Sequence, residues 1–141
     1  YSNGSVKNPT YKEVCTGKTG HAEVCQLSYN PEVIPFKDIL EVFFQTHDPT
    51  TLNRQGADVG TQYRSGIYCY DVDQRMASFA SKNLYQQRLD LNNIGTITSE
   101  ILDAPEFFYA ETYHQQYLAK NPDGYCGIGG TGISCPIGVD A

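Results

Sequence analysis

The sequence predicts an α+β fold, a two-layer α/β sandwich, and three observations carry that expectation. Behind Pro35, the residues Phe36, Ile39, Leu40, Phe43 and Phe44 fall at i, i+3, i+4, i+7 and i+8, one broad apolar helical stripe. Short strand-like stretches alternate with helix-like ones along the 141 residues. Over residues 21–29, Glu23, Cys25, Leu27 and Tyr29 share one face while Ala22, Val24, Gln26 and Ser28 share the other. Such polar alternation belongs to a sheet with one face open or partly covered, and so weighs against a doubly wound sheet.

In chain order, residues 1–20 are rich in Gly, Asn, Thr and Lys and contain Pro9, so they read as a loop with at most a short extended piece at 11–15. The strand over 21–29 ends at Asn30-Pro31. The helix begun at Pro35, a residue suited to a first turn, stops at His47-Asp48-Pro49. Residues 50–64 form a polar, Gly-containing loop of a length that signals function or disorder, and a second strand follows over 65–70. Asp73 can cap the next helix, whose Met76, Phe79, Ala80 and Leu84 supply a core face before Asn92-Asn93. A strand with Ile97, Ser99 and Ile101 on one face comes next. Residues 107–120 read as a helix carrying Tyr109, Tyr113 and Tyr117 at i, i+4 and i+8, a row that more often packs than binds. Beyond Asn121-Pro122, residues 123–138 hold six of the 13 glycines, a composition expected to stay mobile.

Composition narrows the function. A chain of 141 residues with 40% hydrophobic content builds one domain. Sixteen acidic against 10 basic residues give −6, with no Lys or Arg run to neutralise phosphates, so nucleic acid is not an expected partner. No apolar stretch reaches the roughly 18 residues of a membrane span. Tyr1-Ser-Asn-Gly has no initiator Met, basic flank or apolar run, so it reads as neither a signal peptide nor a natural start, and a preceding segment is expected. Cysteines at 15, 25, 69, 126 and 135 include no C-x-x-C pair, which suits neither a secreted disulfide scaffold nor a common zinc site. Three scattered histidines do not make a metal site.

Motifs in a fixed order say more. Asn8-Pro-Thr-Tyr-Lys-Glu-Val-Cys15, Thr19-Gly-His-Ala-Glu23, His47-Asp-Pro-Thr50, Asn53-Arg-Gln-Gly56, Gln62-Tyr-Arg-Ser65, Tyr113-His-Gln-Gln116 with Lys120-Asn-Pro122, and Gly124-Tyr-Cys126 cover nearly the whole chain. Together they resemble the class A peptide methionine sulfoxide reductases. The resemblance implies a ferredoxin-like core, incomplete here at its N-terminus, because the family's Gly-Cys-Phe-Trp-Gly motif is expected upstream and these residues contain neither Trp nor a Cys-Phe pair. It also implies a catalytic core over 1–122, a Gly-rich redox tail over 123–141, and a monomer. The activity implied is thioredoxin-dependent reduction of methionine (S)-sulfoxide, free or in proteins, without a bound cofactor or metal. Cytosol is the default compartment and the mitochondrion a second. The alternative is a truncated, non-catalytic form that binds methionine sulfoxide or thioredoxin without turnover.

Sulfoxide reduction needs a thiolate to attack sulfur and an acid to protonate the leaving oxygen. Glu23 resembles the family's acid. A carboxyl beside Cys25, Leu27 and Tyr29 on an apolar face should have its pKa raised by desolvation. The other reading is a strand-end carboxylate in water, or one paired with Arg64 or Lys18. Tyr11 and Tyr63 match the two tyrosines that direct hydroxyls at the sulfoxide oxygen, and Asp58 matches the second acidic site residue. Among eleven tyrosines, ordinary packing is the competing role. The resemblance gives His21 and His47 structural roles. It makes Cys126 the resolving thiol, which condenses with the sulfenic acid left on the nucleophile, and Cys135 a second recycling thiol that presents a disulfide to thioredoxin. A zinc pair or two idle thiols is the alternative. Cys25 and Cys69 read most simply as buried small hydrophobes, and Cys15 merely ends its motif.

Overall fold

The computed structural model describes residues 1–126 and 128–134. Its order is α1 (Tyr11–Cys15), α2 (Phe36–Thr46), β1 (Arg54–Gln55), β2 (Asp58–Val59), a 3₁₀ turn (Thr61–Tyr63), β3 (Gly66–Cys69), α3 (Val72–Leu91), β4 (Glu100–Asp103) and α4 (Tyr117–Lys120). The fold is α+β. Its centre is a strand–helix–strand unit in which α3 carries the chain from β3 to a parallel β4, pairing Gly66 with Glu100 and Cys69 with Asp103. α3 packs on both strands and α2 packs on α3. Where these layers meet, Phe44, Tyr85, Leu89 and Ile97 form the buried cluster, with Phe43, Ile67, Ile94 and Ile133 against it. No helix among the described residues is long and apolar enough to cross a membrane.

Several elements differ from the sequence reading, each for a local reason. Residues 11–15 are helical rather than extended, because Thr10 and Glu13 close a capping box: Thr10 Oγ1 accepts from Glu13 N at 3.2 Å and Glu13 Oε2 accepts from Thr10 N at 2.9 Å. The strand over 21–29 is reduced to an isolated bridge from Ala22 to Ser2, which also bridges Phe107. An extended segment becomes a strand only when a neighbouring backbone pairs with it in register, and beyond Ala22 only the single bond from Glu23 N to Gln62 O is made among the described residues. Leu27 is therefore 61% exposed. α3 is capped by Asp71, whose side chain accepts from Gln74 N at 2.7 Å, and not by Asp73. The buried positions of α3 are Ser78, Tyr85 and Leu89, while Met76, Phe79 and Leu84 are exposed. Tyr85 lies inward because it stacks on Phe44 at 5.5 Å, and Ser78 because its hydroxyl meets Cys69 Sγ at 3.6 Å.

The expected helix over 107–120 shrinks to its last turn, α4. Upstream, the backbone amides are drawn into pairing with the N-terminal residues: Phe108 N donates to Tyr1 O at 2.9 Å, and the Tyr1 amino group donates to Phe108 O at 2.8 Å. Gln116, with φ at 53°, interrupts the helix just before α4. Tyr109, Tyr113 and Tyr117 consequently form no single row and are all exposed. The loop over 50–64 contains the β1–β2 hairpin, pairing Arg54 with Val59, and the 3₁₀ turn.

Both buried histidines are fully engaged. Gly4 N donates to His21 Nδ1 at 3.0 Å, so Nε2 carries the proton and donates to Val6 O at 2.6 Å. His47 Nδ1 donates to Phe43 O at 2.6 Å, leaving Nε2 to accept from Ser65 Oγ at 2.8 Å. Burial pushes the His47 pKa down, more than the Phe43 carbonyl and Asp48 push it up. The ring stays neutral and ties the end of α2 to the residue preceding β3.

Candidate active site

Residues from five parts of the chain converge around Glu23. The Ser2–Ala22 bridge fixes the residue before it, with Ala22 N donating to Ser2 O at 2.8 Å, and Glu23 N itself donates to Gln62 O at 2.8 Å. That second bond joins Glu23 to the 3₁₀ turn that carries Tyr63. Arg64 reinforces the junction. Its guanidinium donates to Gly20 O at 2.9 Å and Thr61 O at 2.8 Å, and pairs with Glu100 at 2.8 Å. Glu100 also accepts from Tyr68 Oη at 2.5 Å. Arg64 is thus committed to Glu100, and the alternative of a Glu23–Arg64 pair does not occur.

Tyr11 enters on the first residue of α1. Its backbone N donates to Glu111 Oε1 at 3.0 Å, and its ring lies 4.2 Å from that of His114. Glu111 Oε2 in turn accepts from Tyr1 Oη at 3.2 Å and stands 3.6 Å from His114 Nε2. Asp58 comes from β2, and its Oδ2 accepts from Tyr125 Oη at 3.3 Å. Cys126, the residue after Tyr125, is exposed. Cys135 and Gly127 lie outside the described residues.

Glu23 is exposed as a residue, yet the protein crowded around its carboxyl raises the pKa above the ordinary 4.5, desolvation being the largest cause. His114 pulls it back down and Asp58 pushes it up. The sequence reading expected desolvation from Cys25, Leu27 and Tyr29. Cys25 and Leu27 are exposed, so those neighbours do not supply it. Tyr11 is pushed up to about 12, first by the Cys15 sulfur beside its hydroxyl and then by burial, with smaller pushes from Tyr63 and Glu23. Tyr63 is raised by burial, then by Glu23, Cys15 and Asp58, while a bond from the Gln62 side chain acts downward. Both phenols therefore remain protonated donors at neutral pH. A carboxyl inclined to keep its proton, flanked by two phenols, is suited to receiving an oxygen that gains negative charge and needs protons.

Four participants escaped the sequence reading. Cys15 is exposed, and its sulfur lies beside the Tyr11 hydroxyl. The i, i+4 spacing of Tyr11 and Cys15 would have shown this had the segment been read as a helix. Gln62 sits within a quoted motif without a role. Glu111 and His114 reach the site across about a hundred positions; His114 sits within the Tyr113-His-Gln-Gln116 motif without a role, and no local pattern announces Glu111. Cys69 is buried as expected, and burial pushes its thiol up. Among the described residues, no group of three or more His, Cys, Asp or Glu side chains could hold a metal ion.

The fold and this acid–phenol cluster define a class also found by comparison: the family described as peptide methionine sulfoxide reductase matches residues 1–132. The chain is 58% identical over 140 residues to peptide methionine sulfoxide reductase MsrA of Rippkaea orientalis, covering 99% of this chain and 64% of the relative. It is 55% identical over 139 residues to the mitochondrial peptide methionine sulfoxide reductase of Mus musculus, covering 99% of this chain and 60% of that protein. Among solved structures, reduced Mxr1 from Saccharomyces cerevisiae superposes with a TM-score of 0.83 at 41% identity, over 90% of this chain and 71% of the other. Methionine sulfoxide reductase A of Corynebacterium diphtheriae gives 0.80 at 40% identity, over 95% and 67%. The chain belongs to the peptide methionine sulfoxide reductase family, and it spans less than two thirds of the length of the curated relatives named here.

Proposed function

We propose that this chain supplies the acid and oxygen-binding part of a thioredoxin-dependent reductase of methionine (S)-sulfoxide, free or in proteins. The observation that carries this is the placement of Glu23, whose amide is bonded to the turn bearing Tyr63, together with Tyr11 and Asp58 around a carboxyl that desolvation pushes up. In this reading Tyr11 and Tyr63 donate to the sulfoxide oxygen, and Glu23 delivers a proton as a thiolate attacks sulfur. The S–O bond breaks, the sulfide leaves, and the oxygen ends on the attacking cysteine as a sulfenic acid. The Cys126 thiol condenses with it, forming a disulfide and releasing water. Exchange with Cys135, and then with the dithiol of thioredoxin, restores both thiols while thioredoxin leaves oxidised.

A second reading is binding of methionine sulfoxide or thioredoxin without turnover. One assay separates the two. Dithiothreitol and an S-sulfoxide substrate are offered to the 141-residue chain and to the same chain joined to a segment bearing Gly-Cys-Phe-Trp-Gly. Turnover is expected only from the second, because a reacting sulfur must be held close to the substrate with the acid opposite. Equal turnover by both would place the nucleophile among the cysteines described above, and no turnover by either would leave the binding reading.

A further inference from the structure

Between the two phenol-bearing segments lies a side chain that the reaction, as written, does not use. Gln62 is 5% exposed, in the middle of the 3₁₀ turn. Its backbone O accepts the Glu23 amide at 2.8 Å, and its side-chain Nε2 donates to Cys15 O at the end of α1, at 3.4 Å. Tyr63 follows it in the same turn, and α1 opens with Tyr11. One residue therefore touches the acid, one phenol's helix and the other phenol's turn. The backbone is shaped around it: Gly60 has φ at +152°, and a Cβ there would overlap the Gln62 amide. Gln62 Oε1 is buried and has no hydrogen-bond partner among the described residues. A buried amide with a poorly satisfied acceptor contributes little to stability compared with an apolar side chain of the same shape.

We infer that Gln62 is a positioning residue, holding α1 and the 3₁₀ turn in register so that Tyr11, Tyr63 and Glu23 face one substrate oxygen. This rests on the function proposed above. The amide is packed against Gly60, where a Cβ would overlap it, and from that fixed place it reaches Cys15 O at 3.4 Å, so it acts as a spacer between the two segments. The Gln62 side chain also acts downward on the Tyr63 pKa, as a donor to that hydroxyl would.

The test uses the 141-residue chain with Gln62→Met, which keeps shape without polarity, and Gln62→Asn, which keeps an amide but shortens its reach. Three quantities are read: the thermal midpoint, the carbon-13 NMR titration of the Glu23 carboxyl, and the affinity for the S-sulfoxide of N-acetylmethionine methylamide. Both variants should melt within about 4 °C of the parent. Both should titrate Glu23 nearer the ordinary 4.5, as the loosened turn admits water. Both should bind the sulfoxide about tenfold more weakly, or ~1.4 kcal/mol. Unchanged titration and affinity would overturn the inference, as would a lower midpoint in both variants with the Glu23 titration intact, the mark of a packing role alone. Failure of the parent chain to bind the sulfoxide would count against the proposed function, and the Glu23 titration would still decide the role of Gln62.

Discussion

Replacing Glu23 by Gln is expected to lower sulfoxide reduction by about 10²–10⁴-fold, the range for losing a positioned general acid. The assay uses the chain joined to its attacking-thiol segment, and the loss should fall on kcat more than on KM, because the proton is needed in the transition state. Before the substitution, the rate should decline as pH rises through the raised Glu23 pKa, since the acid is active only when protonated. Stability should change in the same sense. The folded chain holds the Glu23 proton more tightly than the unfolded chain does, so this group's contribution is full below 4.5 and is lost as pH rises through the folded value. At neutral pH, Glu23→Gln should therefore be at least as resistant to urea as the parent. A variant with full activity, or one with lost activity explained by lost folding, would remove Glu23 from the chemistry.

Substituting Cys126→Ser in the same extended protein should abolish multiple turnover with thioredoxin while still allowing about one equivalent of product per enzyme. Cys126 is exposed and follows Tyr125, whose hydroxyl is bonded to Asp58 at 3.3 Å. Two of the glycines beside it serve close approach rather than free swing: a Cβ at Gly124 would strike the Tyr117 ring, and one at Gly130 the Gln45 carbonyl. Mass mapping of the oxidised parent should find a Cys126–Cys135 bridge that thioredoxin removes. Sustained turnover by the variant, or a bridge to the site-facing Cys15 in place of Cys135, would assign recycling to a different thiol.

What was legible in the sequence follows from which interactions are local. α2 could be read at its apolar stripe and its Pro stop, and the Ile97, Ser99 and Ile101 face emerged buried because it faces the core from one side. α1 was also legible in principle, since Thr10 and Glu13 stand at capping-box spacing, but the surrounding Gly and Asn outweighed it. The inward face of α3 was not legible from hydrophobicity, because Ser78 and Tyr85 take the buried positions by contact with Cys69 and Phe44. The segment over 107–120 carries helical periodicity, yet its pairing with Tyr1 and Ser2 spans more than a hundred positions. The site divides in the same way. Glu23, Tyr11, Tyr63 and Asp58 could be singled out by motif resemblance, whereas Glu111 reaches it through a long-range contact that leaves no local spacing to read, and His114 stands in a motif that does not state its role.

The most direct measurement is a carbon-13 NMR titration of the Glu23 carboxyl in the 141-residue chain, with the resonance assigned through Glu23→Gln. Its inflection should lie clearly above the ordinary 4.5, and should move down in Asp58→Asn and up in His114→Gln, following the signs of those two neighbours. An inflection at or below 4.5, indifferent to both substitutions, would mean that Glu23 is an ordinary solvated carboxylate and that the acid of this site lies elsewhere.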